Sequence, residues 1–232
     1  MNLLALALAP GIAICIFIYL KDKYNREPLG LLLVSFILGM LSTIPALILQ
    51  VINNTSLEGL AGKPLIDVAI FAYLVVALSE EGSKYLAIRF FAYPRKAFDE
   101  PFDGIVYAVM VGMGFATLEN IGYVGENGIG TGIMRMFLAV PAHATFAIIM
   151  GYYMGLAKFD VANRSKYQLL AILLPVIFHG TYDYFLFLGN TILNLAGAIV
   201  SLIVAINLSK KAIRKHQALS EAMHGENNNY PL

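Results

Sequence analysis

Tryptophan is absent from the 232 residues, so any aromatic belt at a membrane interface falls to tyrosines such as Tyr19, Tyr24, Tyr93, Tyr123 and Tyr167. Cysteine is nearly absent. Cys15 alone cannot form an internal disulfide, and with one cysteine in the chain there is neither a CxxC pair nor a Cys/His zinc spacing. Charge is scarce as well: Asp, Glu, Lys and Arg make up 13% of the chain, against roughly a quarter in a soluble domain. The net charge of +1 gives no argument for a nucleic-acid partner. No basic stretch precedes the first apolar run, and the positive charges follow it, which reads as an anchor with its N-terminus outside and not as a cleaved signal peptide. No HExxH occurs, nor a repeat of fixed period, nor a second domain.

What is abundant is apolar. At 59% hydrophobic residues and a mean hydropathy of +0.71, the chain is expected to be an all-α, polytopic transmembrane helix bundle. A span needs about 20 mainly apolar residues, and seven segments qualify, near 2–20, 29–52, 65–91, 102–124, 132–157, 167–188 and 190–208. They are separated by Gly and Pro joins and by the Gly-rich run 125–132. One transmembrane domain, 1–208, with a core at about 67–188, is expected to precede a polar cytoplasmic tail, 209–232, frayed from His224 onward. Alternate loops carry Lys21, Lys23 and Arg26, then Arg89, Arg95 and Lys96, then Lys158, Arg164 and Lys166, and finally Lys210, Lys211, Arg214 and Lys215. The other side holds only Lys63 and Arg135. The positive-inside rule then places the N-terminus outside and the C-terminus inside, which requires an odd number of spans.

Against this background the ionisable residues inside spans stand out: Glu80, Glu81 and Lys84 on the third, Glu119 on the fourth, His143 on the fifth, His179 and Asp183 on the sixth. Asp67 and Asp103 fall near span ends, where water is expected to reach them. Each charge at a span centre costs about 2.5–3.5 kcal/mol on insertion scales, so several on neighbouring helices are expected to satisfy one another. Lys84 is i+4 from Glu80 and i+3 from Glu81, and His179 is i−4 from Asp183, so each pair shares a helix face. One lysine neutralises one carboxylate, and the second is left to be protonated or engaged elsewhere. A buried ion pair that fixes packing is the plainer account. A desolvated glutamate suited to general-base work is the functional one.

Glu119, His143 and His179 are raw material for a metal site or a water-activating cluster. Pro141 and Pro175 are each expected to remove a helix hydrogen bond beside a histidine. Gly112, Gly114 and the pair Gly151 and Gly155 read as helix packing. An ion- or proton-coupled transporter or channel would use the same midplane residues, but no inverted repeat is found in the span pattern.

The ordered motifs carry a resemblance. Glu80-Glu81-Gly82-Ser83-Lys84 reads as EExxK, the run from Phe115 to Glu119-Asn120 as FxxxEN, His143 stands alone on its span, and the run from His179 to Asp183 reads as HxxxD. With Phe102-Asp103-Gly104 at the entry to the fourth span, the chain from about Asp67 to Leu188 resembles the PrsW family of intramembrane proteases, a branch of the group that includes the CAAX prenyl endopeptidases and the Abi proteins. The resemblance implies a peptidase of the bacterial plasma membrane that makes the first, extracytoplasmic-side cut in a single-span anti-sigma factor. It implies catalytic roles for Glu80, Glu81, Glu119, His143, His179 and Asp183, with Lys84 and Asn120 in support. A bound Zn²⁺, held by Glu119, His143 and His179, and a metal-free, glutamate-activated water both stay open, as does the choice of base between Glu80 and Glu81. A catalytically dead scaffold is disfavoured because no expected polar position is lost.

Overall fold

The first helices face outward with bare leucine and isoleucine. In α1 (Leu3–Lys21) Ile16, Phe17 and Leu20 are more than half exposed, and such a surface calls for lipid instead of water. Helices α2 (Leu29–Leu41) and α3 (Thr43–Ile52) meet at a bend. Pro45 has no N–H to return to Leu41, and the hydroxyls of Ser42 and Thr43 donate to the carbonyls of Gly39 and Met40, both at 2.7 Å. Side-chain hydroxyls that back-bond this way bend a helix. The computed structural model describes residues 3–53, 58–60, 62–189 and 191–227, and among these there is no strand. The polar end 228–232 and Asn190 of the sixth join lie outside the described residues.

The next stretch is helical throughout but not uniform. It runs as α4 (Leu65–Ile70), a π-helical segment Phe71–Ala77, α5 (Leu78–Ala87) and a second π segment Ile88–Ala92. Four helices follow: α6 (Pro101–Phe137), α7 (Ala139–Phe159), α8 (Arg164–Phe187) and α9 (Ile192–Asn227). Five helical runs among the described residues are long and apolar enough to cross a membrane: Leu3–Lys21, Leu29–Ile52, Pro101–Phe159, Arg164–Phe187 and Ile192–His224. The third of these turns back on itself at Gly128, inside α6, and Leu138 separates the returning end of α6 from α7. The stretch containing Glu80 and Glu81 falls outside the five: with Asp67, Glu80, Glu81, Lys84 and Arg89 it carries charge more densely than those runs do.

Helix α6 is the axis of the bundle. Every residue from Pro101 to Thr117 is buried, with α1, α2 and α7 packed around it. Glycine makes these contacts possible. A Cβ on Gly104 would strike the backbone of Gly151 and Gly155, and one on Gly151 would lie 2.6 Å from Ile105 Cα, so α6 and α7 cross with backbone against backbone, as small residues permit in membranes. Gly151 and Gly155 are thus packing residues, as their spacing suggests.

Three expectations need correction. Asp103 is fully buried, because Glu100 and Asp103 fold under the loop that joins α1 to α2; a span end is not automatically wet. Pro141 occupies the first turn of α7, where its missing N–H has no helical partner to lose, so of these two only Pro175, inside α8, interrupts a helix. The run expected as a loop at 125–132 is helical on both sides of one residue, Gly128, whose φ of 79° belongs to the region glycine tolerates. Helix α9 runs past Leu208 to Asn227, burying Ser209, Ala212, His216 and Ser220.

Candidate active site

Glu80 and Glu81 enter the bundle one turn after the first π segment. A π turn inserts an extra residue into the backbone ladder and is frequent at functional sites. Tyr73 in that segment is held by a 2.7 Å hydrogen bond to Thr181, and its ring lies against Gly180, where a Cβ would sit 2.7 Å from Tyr73 Cγ. The glycine after His179 therefore lets α8 approach closely enough to present its histidine to α5.

The sequence-predicted residues converge. Lys84 Nζ donates to Glu81 Oε1 at 2.7 Å, lies 3.5 Å from Glu80 Oε2 and 3.2 Å from His143 Nδ1, and caps the Phe115 ring at 3.9 Å from its centroid. His179 Nδ1 meets Glu81 Oε1 at 2.9 Å, and its Nε2 meets Asp183 Oδ2 at 3.1 Å. His143 Nε2 meets Glu119 Oε2 at 2.8 Å. The two imidazoles stand edge to face with centroids 5.3 Å apart, and Phe146 stacks on His179 at 4.9 Å. Glu80, Glu81, Lys84, His143 and His179 are all buried. Buried charges at this density persist only when paired and hydrogen-bonded, and one ammonium serving two carboxylates and an imidazole is how α5 achieves it.

The two glutamates have different surroundings. Glu80 lines a cavity of ≈ 980 Å³ together with Glu119, His143, His179 and Asp183, and its Oε1 accepts from Gln50 at 3.2 Å. Glu81 lies behind it, wholly buried, and spends one oxygen on Lys84 and His179. Gln50 and Arg135 are functional neighbours that sequence reasoning missed. Arg135 reads as a stray charge on an outer loop, yet the break at Gly128 folds the end of α6 back over the cavity. Its guanidinium then meets Glu119 at 3.1 Å and Asn120 at 2.5 Å and stacks on Tyr123. Asn120 in turn reaches the Ala7 carbonyl of α1 at 3.4 Å. The signal available in sequence was an arginine flanked by Met134 and Met136, in a segment too apolar to solvate it.

Arg135→Gln is expected to loosen Glu119 and with it the His143 ring. Losses of groups that orient a reacting residue run to about 10- to 100-fold, so the rate of the reaction carried by this site should fall by that much while chain accumulation is unchanged. An undiminished rate would remove Arg135 from the site.

Four of the residues bring one donor atom each to within 4.8 Å of one another: Glu80, Glu81, His143 and His179. Glu119 stands outside this group, behind His143. The chemistry of the four fits a metal ion. Nitrogen and carboxylate oxygen are zinc's donors, Glu80 Oε2 and Glu81 Oε2 are buried without a hydrogen-bond donor, and each histidine has its Nε2 backed by a carboxylate, Glu119 or Asp183, the arrangement that orients metal-binding imidazoles.

Comparisons with known proteins agree with the family resemblance carried by the sequence motifs. Residues 27–208 match the family described as PrsW family intramembrane metalloprotease. A protein named Protease PrsW from Geobacillus kaustophilus (strain HTA426) is 43% identical over 185 residues, 80% of this chain and 80% of that one. Protease PrsW of Bacillus subtilis (strain 168) is 36% identical over 79% of this chain and 82% of its own length. That of Oceanobacillus iheyensis is 36% identical over 91% and 96%. No solved structure matches.

Proposed function

The chain belongs to the PrsW family of intramembrane proteases, and from that premise we propose that it makes the first cut in a single-span anti-sigma factor, with Glu80 as the base that activates water. The observation that carries this is the convergence of Glu80, Glu81, Lys84, His143 and His179 from three helical segments on a buried cavity. Glu80 is the carboxylate that faces the cavity. It takes a proton from a water there as the oxygen attacks the carbonyl carbon of the scissile peptide. His143 and His179 stand on the cavity wall with their ring nitrogens engaged by Glu119, Lys84, Glu81 and Asp183, so each donates to the oxyanion that develops by exchanging one of those partners for it. Glu80 then passes its proton to the amide nitrogen as the C–N bond breaks. Glu81 and Asp183 hold His179 in place, and Glu119 holds His143. In place of Glu80 acting as a free base, Glu80, Glu81, His143 and His179 would hold a zinc ion, which when bound polarises a carbonyl and acidifies water.

The chain crosses the membrane seven times in this reading, counting α6 and α7 separately and adding the stretch 65–92. The cavity is bordered by the ends of α3 and α8 and the starts of α7 and α9. The opposite end gathers the basic loops: Gln217 bonds to Lys21, and Lys158 to the carbonyls of Tyr93 and Arg95. With positive charge inside, the cavity opens outward, the side on which a site-1 cut is made.

Co-expression with a tagged single-span anti-sigma factor should yield a product shortened on the extracytoplasmic side, and reporters fused next to Lys63 and Ala97 should read outside and inside respectively. A substrate left whole by active-level amounts of the wild-type chain, or an inside signal at Lys63, would overturn the proposal.

A further inference from the structure

A second buried polar cluster lies at the other end of the bundle and takes no part in the chemistry above. Asp22, in the loop after α1, and Glu100 and Asp103, at the start of α6, bring one carboxylate oxygen each to within 4.8 Å of one another, and all three are buried. Glu27 is buried beside Asp103. Three of these carboxylates share one feature: one oxygen is held by a protein donor and the other is not. Asp22 Oδ2 accepts from the Glu27 amide at 3.3 Å, Asp103 Oδ2 from the amides of Asp99 and Glu100 at 2.8 and 2.7 Å, and Glu27 Oε2 from the Tyr107 hydroxyl. Asp22 Oδ1, Asp103 Oδ1 and Glu27 Oε1 are sealed from solvent with no well-formed hydrogen bond, their neighbours being the other carboxyls of the cluster.

A different helix supplies an independent sign. Ser220 of α9 is fully buried, and its hydroxyl makes no well-formed hydrogen bond but is turned toward the Glu100 carboxylate. A hydroxyl that could have bonded to its own helix instead points into the cluster, where it offers one more oxygen. Positive charge is thin here. Among the described residues no lysine or arginine nitrogen lies within ion-pair distance of Asp22, Glu27 or Asp103, and Glu100 has only His224, at 3.4 Å. Arg26 spends its Nε on the Asp22 carbonyl, and Lys158 on two other carbonyls.

We propose that Asp22, Glu100, Asp103 and the Ser220 hydroxyl, with Glu27 alongside, form a binding site for a hard divalent cation that ties the α1–α2 loop, the start of α6 and the end of α9 together. Oxygen donors alone, most of them carboxylate, select magnesium, calcium or manganese over the softer metals. Burial, reinforced by the neighbouring carboxylates, pushes Glu100 and Glu27 up to about 7, the environment a bound cation would relieve. Three elements distant in sequence meet at one charge, so the cation acts as a clamp on this end of the fold.

The test uses the full-length chain, purified, stripped with chelator and reconstituted in lipid nanodiscs, with Mn²⁺ as the probe. Electron paramagnetic resonance should count one bound Mn²⁺ that persists in His179→Ala, which disables the other candidate metal group, and disappears in Asp22→Asn/Asp103→Asn. Mg²⁺ or Ca²⁺ at about a hundred times its Kd should raise the Tm of wild type and of His179→Ala by about 5–10 °C, and leave the Asp22/Asp103 variant unmoved. If no Mn²⁺ survives in His179→Ala, or if Asp22→Asn/Asp103→Asn binds Mn²⁺ as wild type does, the site does not exist. A stripped variant more stable than stripped wild type, with no cation response in either, would mean that the carboxyls are paired through shared protons and would likewise overturn the proposal.

Discussion

A Glu80→Gln chain is expected to fold and insert as wild type does and to cut its membrane-anchored substrate about 10²- to 10⁴-fold more slowly, the range by which a positioned general base contributes. The amide is isosteric and keeps an oxygen for Gln50, which now bonds to Glu80 Oε1 at 3.2 Å; what it loses is the capacity to take a proton on the cavity side. Because Glu80 shares Lys84 with Glu81 at the longer distance, 3.5 Å against 2.7 Å, neutralising it also reduces carboxylate repulsion, so stability should hold or rise slightly. Falling activity with unchanged thermal stability is the signature to seek, measured as product formed per inserted chain. Retention of more than about a tenth of the rate would exclude Glu80 as base and move the role to Glu81.

Lys84→Met should act in the opposite manner, on stability first. The ammonium is the only Lys or Arg nitrogen within ion-pair distance of Glu80 or Glu81 among the described residues, and it also touches His143. Removing one partner of a buried pair leaves an uncompensated charge and costs about 3–5 kcal/mol, equivalent to a Tm lower by about 10 °C or more in a chain of this size. Lys84→Met/Glu81→Gln removes both charges and should recover most of that loss without recovering activity, because His179 then keeps Asp183 but loses the carboxylate on its Nδ1. A single Lys84→Met variant as stable as wild type would show that the ammonium does not hold the cluster together.

Much of this was legible in sequence because the intramembrane cost of charge leaves few innocent explanations. Glu80, Glu81, Lys84, Glu119, His143, His179 and Asp183 could be picked out as groups that must meet, and they do. The division of labour between Glu80 and Glu81 was not legible: adjacent residues point about 100° apart on a helix, and which one faces a cavity depends on where the π segment sets the register. Arg135 was hidden for a similar reason. Its contact with Glu119 exists because one glycine, at 128, reverses the end of α6, and a Gly-rich run reads equally well as a loop. Asp103 was misjudged because position near a span end says nothing of what lies on top; the α1–α2 loop folds over it, and α9, whose apolar run stops near 208, continues as helix beside that cluster.

The glycine crossing between α6 and α7 makes the bundle stiff at one end and pliable at the other. Around Gly104, Gly151 and Gly155 the two helices touch through main-chain atoms, which have no rotamers to change and no room to slide. Toward Glu119 and His143 the same helices are spaced by side chains and border empty volume. Any yielding to an incoming polypeptide falls to the far tips, with the glycines as fulcrum, and Glu119 and His143 ride on those arms.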